Sequence, residues 1–430
     1  MAVTDDGKLF QSISSQILGL PPSCVEFCPA FPSYFLVGTY SLEVQTQNAG
    51  AGNGDVDSGD ERDGQPAEPA QPKQPQSRNG SIVAFQILDG AIIHVETVAQ
   101  PSALLDLRFN PHDGCRDICA VVSSTATLAL FRLCPDGDRP LMHLRTMGIA
   151  AMSRGEIGPS PGQEILFLSF AWHPTRADMM AITTSTGHVY LVHLPSFDGN
   201  WELSPEPVIT HMLETWCVAI SPFPAAPEPS VETAGSPGFS SRVYSGGDDS
   251  TLRCRICNWK EGDLTGSLPA LESRGHGAGV TAILPLFKQE DGHEVIVTGS
   301  YDEHIRLFSV PPFGKPRGLA ESSLGGGVWR LKLIDLGNKP NQDYTWKARI
   351  LASCMHAGAR IVELLRTADG EYQFKVVGRF EEHKSMNYGS DCQPGTKGEL
   401  TIVSTSFYDK LLCLWRIPGP ASTLAVGCQT

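Results

Sequence analysis

The chain has 430 residues, of which 41% are hydrophobic and 19% charged, with 43 glycines and 32 prolines. These proportions are typical of soluble globular proteins, and no run of about 18 apolar residues predicts a membrane-spanning helix. The formal net charge of −14 argues against nucleic acid as a partner, because binding to phosphates requires a basic face. The chain starts with MAVTDDGKLF, which lacks the pattern of a secretory signal, so we expect a cytoplasmic protein with reduced cysteines.

One segment, residues 43–80, differs in composition from the rest of the chain. It is rich in Gly, Pro, Gln, Asn and acidic residues and has almost no large apolar side chain. Such a segment cannot bury enough apolar surface to offset the entropy lost on ordering. We therefore predict an acidic, disordered loop inserted in the first structural repeat, and a flexible tail over residues 418–430.

The remaining sequence consists of short strand-like runs separated by turn residues, without a long amphipathic helix. Five runs end just before a proline, and they read VEFCP, LRFNP, FAWHP, VAISP and TAILP, beginning at Val25, Leu107, Phe170, Val218 and Thr281. Each is followed by a second run that ends in small residues, a turn, and a third run. The pattern predicts seven copies of roughly 55 residues, somewhat longer than the roughly 40 to 45 of a typical WD-repeat blade.

The chain resembles a WD-repeat β-propeller. The aspartates of GGDD, YDEH and FYDK match the family's aspartate between the second and third strands, and GHGAGV at Gly275 matches its Gly-His pair. The closing Trp-Asp pair of the family is absent from every copy. The last copy ends near Ile417 without a fourth strand, and the run KLFQSISSQI begins at Lys8, before the first copy. The expected fold is therefore all-β, a single-domain seven-bladed propeller closed by an N-terminal strand.

In a propeller the turns between second and third strands surround one mouth of the central channel, together with the starts of the innermost strands. Five aromatic residues fall at these positions, namely Trp216, Tyr301, Trp329, Tyr388 and Tyr408. Aromatic rings attract weakly hydrated cations such as a quaternary ammonium, so we predict that these five bind substrate. Trp216 and Trp329 could equally be ordinary packing residues between blades.

Four ionisable residues near the mouth exceed what the repeat pattern requires, namely Asp248, Glu303, His304 and His356. A histidine beside carboxylates can act as a general base near neutral pH, so we predict these four as catalytic candidates. The turn aspartates Asp249, Asp302 and Asp409, and also His276, are expected to have a structural role, because such turns use side chains to satisfy backbone donors.

Familiar catalytic and metal-binding signatures are absent, including GxSxG, the P-loop and HExxH. Cys254 and Cys257 form a C-x-x-C within the strand-like run LRCRIC. A separation of three residues in a strand places the two thiols on opposite faces, so they cannot share a metal ion. The sequence therefore predicts neither a metal site nor a cofactor.

Five segments in the second half of the chain go beyond a generic WD repeat, and in order they read YSGGDDSTLR, TGSYDEHIRLF, GGVWRLK, CMHAGARI and STSFYDKLLCLW. Together they look like the diphthine methyl ester hydrolase family of the diphthamide pathway. The match is dense from about Trp216 to Trp415, and a long insertion in the first blade is also a feature of the family. The resemblance implies hydrolysis of one methyl ester of methylated diphthine on elongation factor 2, giving diphthine and methanol, with elongation factor 2 as partner.

The residues fit this substrate, because the intermediate carries a trimethylammonium group next to the ester. The aromatic mouth would hold the ammonium and place the ester near His304 or His356. The nucleophile is either a water molecule, oriented by Glu303 or Asp248, or the hydroxyl of Ser300. We favour water.

A different function is a non-catalytic WD-repeat adaptor in translation-factor maturation or endosomal recycling, which would add an endosomal location. A methyltransferase is disfavoured, because no glycine-rich turn between a strand and a helix is present to hold a nucleotide-like cofactor. We expect a monomer.

Overall fold

The computed structural model describes residues 7–42, 78–152, 164–225, 239–260, 263–337, 346–395 and 398–419. In this part of the chain seven antiparallel sheets form the blades of a ring, and the one helix is a single turn, Ile149–Met152. No helix in these ranges is long and apolar enough to cross a membrane. The predicted all-β, seven-bladed propeller is confirmed.

Each blade runs outward from an innermost strand at the channel. Blade 1 consists of Pro22–Phe27, Tyr34–Thr39, Ser41–Leu42, Arg78–Leu88 and Ala91–Gln100. Blade 2 consists of Leu104–Phe109, Ile118–Ser123, Thr127–Leu133 and Leu141–Gly148. Blade 3 consists of Phe167–Trp172, Met179–Thr184, His188–His193, Glu202–Leu203 and Ile209–Thr210. Blade 4 consists of Thr215–Ile220, Phe239–Gly247, Leu252–Lys260, Asp263–Ser267 and Leu271–Ser273. Blade 5 consists of Val280–Lys288, Glu294–Ser300, His304–Val310 and Arg317–Ser323. Blade 6 consists of Arg330–Gly337, Trp346–Ser353, Ala359–Arg366, Tyr372–Phe380 and Lys8–Phe10. Blade 7 consists of Gly389–Cys392, Glu399–Ser406, Leu411–Pro418 and Ser12–Ile17.

The N-terminal run closes the ring, as predicted, and it also pairs with blade 6, which the sequence did not indicate. Ser12–Ile17 is the fourth strand of blade 7 and pairs antiparallel with Leu411–Pro418. The preceding strand, Lys8–Phe10, instead pairs parallel with the outer strand Tyr372–Phe380 of blade 6. The N-terminal segment therefore pairs with both blade 6 and blade 7.

Most of the predicted disordered loop, residues 43–77, lies outside the described residues, as do residues 420–430 of the predicted tail. The last three residues of that loop, Arg78–Gly80, belong to the third strand of blade 1. Pro418 likewise ends the third strand of blade 7.

Hydrophobic side chains pack between the blades rather than inside one central core. The described residues contain seven buried clusters, and each joins two neighbouring blades around the ring. Cys254 lies in the cluster between blades 4 and 5 and Cys257 in the cluster between blades 3 and 4. The two thiols are on opposite faces of one strand, as predicted, and all the described cysteines are free.

Candidate functional site at the mouth of the channel

A row of aromatic rings crosses one mouth of the propeller from blade 4 to blade 1. Neighbouring rings in the row have centroids 5.0 to 6.2 Å apart, and the members are Trp216, Tyr301, Trp329, Tyr388, Phe407, Tyr408 and Tyr40. All five aromatic residues predicted from the sequence belong to this row. We call these seven residues the aromatic row.

Trp329 occupies the middle of the aromatic row. Its ring centroid is 5.8 Å from that of Trp216, 5.7 Å from Tyr301 and 5.1 Å from Tyr388. The backbone N–H of Trp329 donates to the carbonyl of Ser353, which fixes the residue at the start of blade 6. Its indole N–H is buried and has no acceptor among the described residues.

Two glycines allow the loops around the row to approach closely. A Cβ at Gly279 would lie 2.8 Å from Asp248 Oδ1 and 3.0 Å from the ring of Tyr301, and a Cβ at Gly327 would lie 2.7 Å from Met355 Sδ. These distances are shorter than normal contacts, so a side chain at Gly279 would displace Asp248 and Tyr301, and one at Gly327 would displace Met355. The glycines therefore help to place Tyr301 beside Trp329.

Asp248, one of the predicted catalytic residues, orients an aromatic ring. Its Oδ1 accepts a hydrogen bond of 3.0 Å from the indole N–H of Trp216. Burial raises the pKa of Tyr301, and the nearby Tyr388 and Asp248 add to this effect. The phenol of Tyr301 is therefore neutral at physiological pH, and the carboxylate of Asp248 supplies negative charge at this end of the row.

The other three predicted catalytic residues lie in turns near the rim. Glu303 occupies a left-handed position of the blade 5 turn, with φ of 69°. His304 begins the third strand, and its Nδ1 lies 2.6 Å from the carbonyl oxygen of Asp302, so Nδ1 carries the proton and Nε2 is free to accept one. His356 is exposed in the blade 6 turn. Strand spacing places the backbone of His304 about 10 Å outward from the innermost strand.

The turn aspartates have the structural contacts expected of them. Asp249, Asp302 and Asp409 accept the backbone N–H groups of Met212, Gly277 and Lys384 at 3.1, 2.6 and 3.1 Å. His276 Nε2 lies 2.8 Å from the hydroxyl of Thr298. Two equivalent histidines were not predicted from the sequence. His211 Nε2 lies 2.8 Å from the hydroxyl of Ser245, and His383 Nε2 lies 2.8 Å from that of Ser404. The available signal was a histidine five residues before an aromatic residue, as His211 precedes Trp216 and His383 precedes Tyr388.

A second group that the sequence reading missed lies inside the channel, below the aromatic row. A cavity of about 90 Å³ is lined by innermost strands of blades 1, 2, 6 and 7, and Tyr388 of the row also lines it. Its six charged residues are Glu26, Asp106, Arg108, Arg330, Lys332 and Asp391. The available signal was a charged residue at alternate positions of strands that the repeat pattern places at the channel.

These six residues form two ion-pair groups. In the first, Asp106 binds the guanidinium of Arg108 at 3.1 Å and that of Arg330 at 3.1 Å. In the second, the ammonium of Lys332 lies 3.4 Å from Glu26 and 3.0 Å from Asp391. We call the first the cationic triad, because it has two cations for one carboxylate, and the second the acidic triad.

The environment shifts the pKa values of the two triads in different ways. Although burial opposes ionisation of Asp106, the guanidinium groups of Arg108 and Arg330 hold its pKa below the usual value. Burial raises the pKa of Glu26, which Lys332 only partly opposes, while Asp391 adds to the rise. Glu26 therefore accepts a proton more easily than an ordinary glutamate does.

Comparisons with known proteins agree with this architecture. The chain is 27% identical over 403 residues to the diphthine methyltransferase of Schizosaccharomyces pombe, covering 92% of this chain and 94% of that protein. It is 24% identical to the diphthine methyltransferase of Saccharomyces cerevisiae, covering 73% and 83%. It is also 23% identical to the diphthine methyltransferase homolog of Dictyostelium discoideum, covering 94% and 98%. No protein-family model matches the chain.

A solved structure supports the fold alone. The crystal structure of Saccharomyces cerevisiae Sqt1 aligns with 96% of this chain and 100% of its own chain, with a TM-score of 0.53 and 11% sequence identity. The resemblance indicated by the five sequence motifs is confirmed: the chain is a seven-bladed β-propeller related over most of its length to the proteins named diphthine methyltransferase.

Proposed function

We propose that this chain is a carboxylic ester hydrolase that removes one methyl ester from methylated diphthine on elongation factor 2, giving diphthine. The observation that carries the proposal is the aromatic row directly above a channel lined with ion pairs. The substrate presents a trimethylammonium group beside a methyl ester. The names of the relatives support an action on diphthine.

The aromatic row holds the ammonium group and thereby directs the ester. A quaternary ammonium is weakly hydrated and is attracted to the faces of tryptophan and tyrosine rings. Trp329 and Tyr388 have ring centroids 5.1 Å apart, and Tyr388 also lines the channel cavity. An ammonium held against the faces of these rings leaves the ester, one carbon away, at the top of the channel.

In the proposed reaction a water molecule attacks the ester carbonyl carbon, and its proton passes to a carboxylate or an imidazole. The tetrahedral intermediate then breaks its bond to the methoxy oxygen, which takes up that proton and leaves as methanol. The acid that remains ionises and releases one proton to solvent. No methyl donor or metal ion enters this scheme.

We place the proton acceptor at Glu26 and keep His304 as the candidate that the sequence indicated. Glu26 lines the cavity below the row and has a raised pKa, which suits a general base. His304 has a free Nε2, but its strand is the third from the channel. His356, exposed on blade 6, is the third candidate, while Asp248 positions Trp216.

The reaction is tested by mass spectrometry of elongation factor 2 that carries the methylated intermediate, incubated with the purified protein and no added cofactor. Loss of one methyl group with release of methanol is expected. An unchanged mass, with substrate and fold verified, would contradict the proposal. A gain of a methyl group that requires an added methyl donor would instead indicate a methyltransferase.

Single variants then locate the proton acceptor. Glu26→Gln keeps the shape of the side chain and should lower the hydrolysis rate by a factor of about 100 or more. His304→Gln, His356→Gln and the exposed control His143→Gln should each change the rate less than threefold, as estimated for residues that take no part in proton transfer. Loss of activity in H304Q but not in E26Q would move the base to the rim.

A second candidate function is a non-catalytic adaptor, which the apolar rim favours. Met212, Leu213 and Tyr408 are 83%, 48% and 70% exposed and lie near the mouth. Exposed apolar residues of this kind can bind a partner protein. An adaptor would retain function in E26Q, H304Q and H356Q and would lose it in Met212→Ser or Tyr408→Ser.

A further inference from the structure

The two channel triads come from the alternation of side chains along the innermost strands. In blade 6, Arg330 and Lys332 line the channel cavity, while the aliphatic side chain of Leu331 between them packs in the cluster between blades 5 and 6. In blade 2, Asp106 and Arg108 also line it, and Leu107 packs between blades 1 and 2. The charged side chains are therefore fixed by the fold and form part of the channel wall.

The cationic triad keeps capacity for a further anion. Asp106 has a side chain that is only 3% exposed, and it also accepts the hydroxyl of Ser169 at 2.8 Å. The side chains of Arg108 and Arg330 are 32% and 19% exposed. Asp106 is shared between the two guanidinium groups, and Glu26 also stabilises the charge on Arg108. Both arginines line the cavity with partly exposed side chains, so they can still meet a further anion.

The acidic triad has the opposite composition. Lys332 is shared between Glu26 and Asp391, whose Oδ2 also accepts the backbone N–H of Phe27 at 2.8 Å. Glu26 also accepts the backbone N–H of Phe109. An anion entering the cavity is therefore attracted to the cationic triad and repelled by the carboxylates of the other group.

The aromatic row and the cationic triad meet at neighbouring residues. Trp329 directly precedes Arg330, and Tyr388 shares the cavity lining with Arg330. The ring of Tyr388 is 5.1 Å from that of Trp329 and lines the same cavity as Arg330, so the rings and the guanidinium lie within the reach of one small ligand. The row suits a quaternary ammonium and the triad suits a carboxyl group.

We propose that the mouth recognises a betaine, meaning a quaternary ammonium with a carboxyl group on the adjacent carbon, through the aromatic row and the Arg108–Asp106–Arg330 triad. The inference rests on the proposed function for the identity of the natural ligand, since diphthine and its ester have this arrangement. Arg330 and Arg108 bind the carboxylate of the product and the carbonyl oxygen of the ester. The same guanidinium groups stabilise the negative charge that develops on that oxygen during hydrolysis.

The inference is tested with small molecules that carry one or both groups. Glycine betaine, choline and acetate are titrated into the purified protein, and binding is followed by tryptophan fluorescence, because Trp216 and Trp329 lie in the row. Glycine betaine should bind about tenfold more tightly than choline, the gain of one charge-assisted interaction. Acetate should bind more weakly than glycine betaine.

The variant Arg330→Met removes the guanidinium next to the row. It should abolish the preference for glycine betaine without weakening the affinity for choline, because a cation near the ammonium site is removed. The choline titration therefore shows whether the mouth is intact. If R330M does not fold, Arg108→Met serves the same purpose. Arg416→Met makes the same charge change in the third strand of blade 7, where Arg416 pairs with Glu399, and it should keep the wild-type preference.

Two results would overturn the inference: equal affinity of the wild-type protein for glycine betaine and choline, or a preference that R330M leaves unchanged. The titration uses neither elongation factor 2 nor an ester. A negative hydrolysis assay with a positive betaine preference would therefore refute the proposed reaction alone. Hydrolysis without that preference would refute this inference alone.

Discussion

Trp329 is the residue on which the proposed site depends most. Its ring contacts three other members of the aromatic row, its indole N–H has no acceptor among the described residues, and it directly precedes Arg330. It lies at the mouth and is only partly buried. Removing its side chain should therefore affect ligand binding more than folding.

We predict that Trp329→Ala raises KM for methylated elongation factor 2 by roughly 30-fold, the equivalent of about 2 kcal/mol for a desolvated cation–π contact. The melting temperature should fall by only a few degrees, roughly what a loss of 1 kcal/mol causes in a large domain. Steady-state kinetics and thermal denaturation of the same preparation measure both effects.

A buried tryptophan provides the matched control. Trp415 is completely buried, donates to the hydroxyl of Ser404 at 3.1 Å and stacks on Phe380 with centroids 4.9 Å apart. Trp415→Phe should lower the melting temperature and leave KM unchanged. If W329A and W415F lowered the melting temperature equally and neither changed KM, Trp329 would be a packing residue.

The residues of the mouth differed in how well the sequence predicted them. The aromatic residues could be predicted because each one falls in a turn, or at a strand start, that the propeller pattern assigns to one mouth. Asp106 and Arg330 were not predicted: their alternate spacing could have indicated the channel, but their pairing could not be foreseen, because these two meet only when blades 2 and 6 face one channel. The partners of His211 and His383 are hydroxyls on another strand, and sequence spacing does not reveal such contacts.

At the scale of strands, histidines that are buried or half-buried connect the start of a blade to its second strand. His276 binds the hydroxyl of Thr298, and His383 binds that of Ser404. Burial lowers the pKa of both histidines to about 4, whereas an unfolded histidine has a pKa of about 6.5. Because each folded pKa is lower, the unfolded state binds more protons between these values, and the free energy of unfolding decreases as pH falls.

We therefore predict that the protein loses stability as pH falls from about 6.5 to about 4. His383→Asn should lower the free energy of unfolding at pH 7, because the link to Ser404 is lost. Its stability should also depend less on pH, by up to about 1.4 kcal/mol per pH unit, the contribution of one proton. Urea unfolding at several pH values measures the slope.

The exposed residue His94 serves as the control for this experiment. His94→Asn should leave the slope of stability against pH unchanged, since His94 is on the surface of the outer strand of blade 1. Parallel curves for the wild-type protein and H383N would show that His383 does not cause the pH dependence.

The whole molecule depends on a segment that is short and comes from the start of the chain. Ser12–Ile17 completes blade 7, and Ser12 also binds the carboxylate of Glu382 through its backbone N–H and its hydroxyl. The sequence predicted this closure, because the last copy lacks a strand of its own. It did not predict that Lys8–Phe10 continues onto blade 6, since a parallel pair with Tyr372–Phe380 leaves no pattern in a single short run.

Deletion of residues 1–17 should open the ring between blade 7 and its neighbours. It leaves the edge of Leu411–Pro418 without its partner strand, and unpaired strand edges associate with other chains. We expect the melting temperature to fall by roughly 5–10 °C and the protein to form oligomers, as measured by thermal denaturation and size-exclusion chromatography. Deletion of residues 1–6 keeps both strands and should change neither property, and a synthetic peptide spanning residues 7–19 should partly restore the longer deletion. A monomeric, fully stable deletion of residues 1–17 would show that the ring closes without this strand.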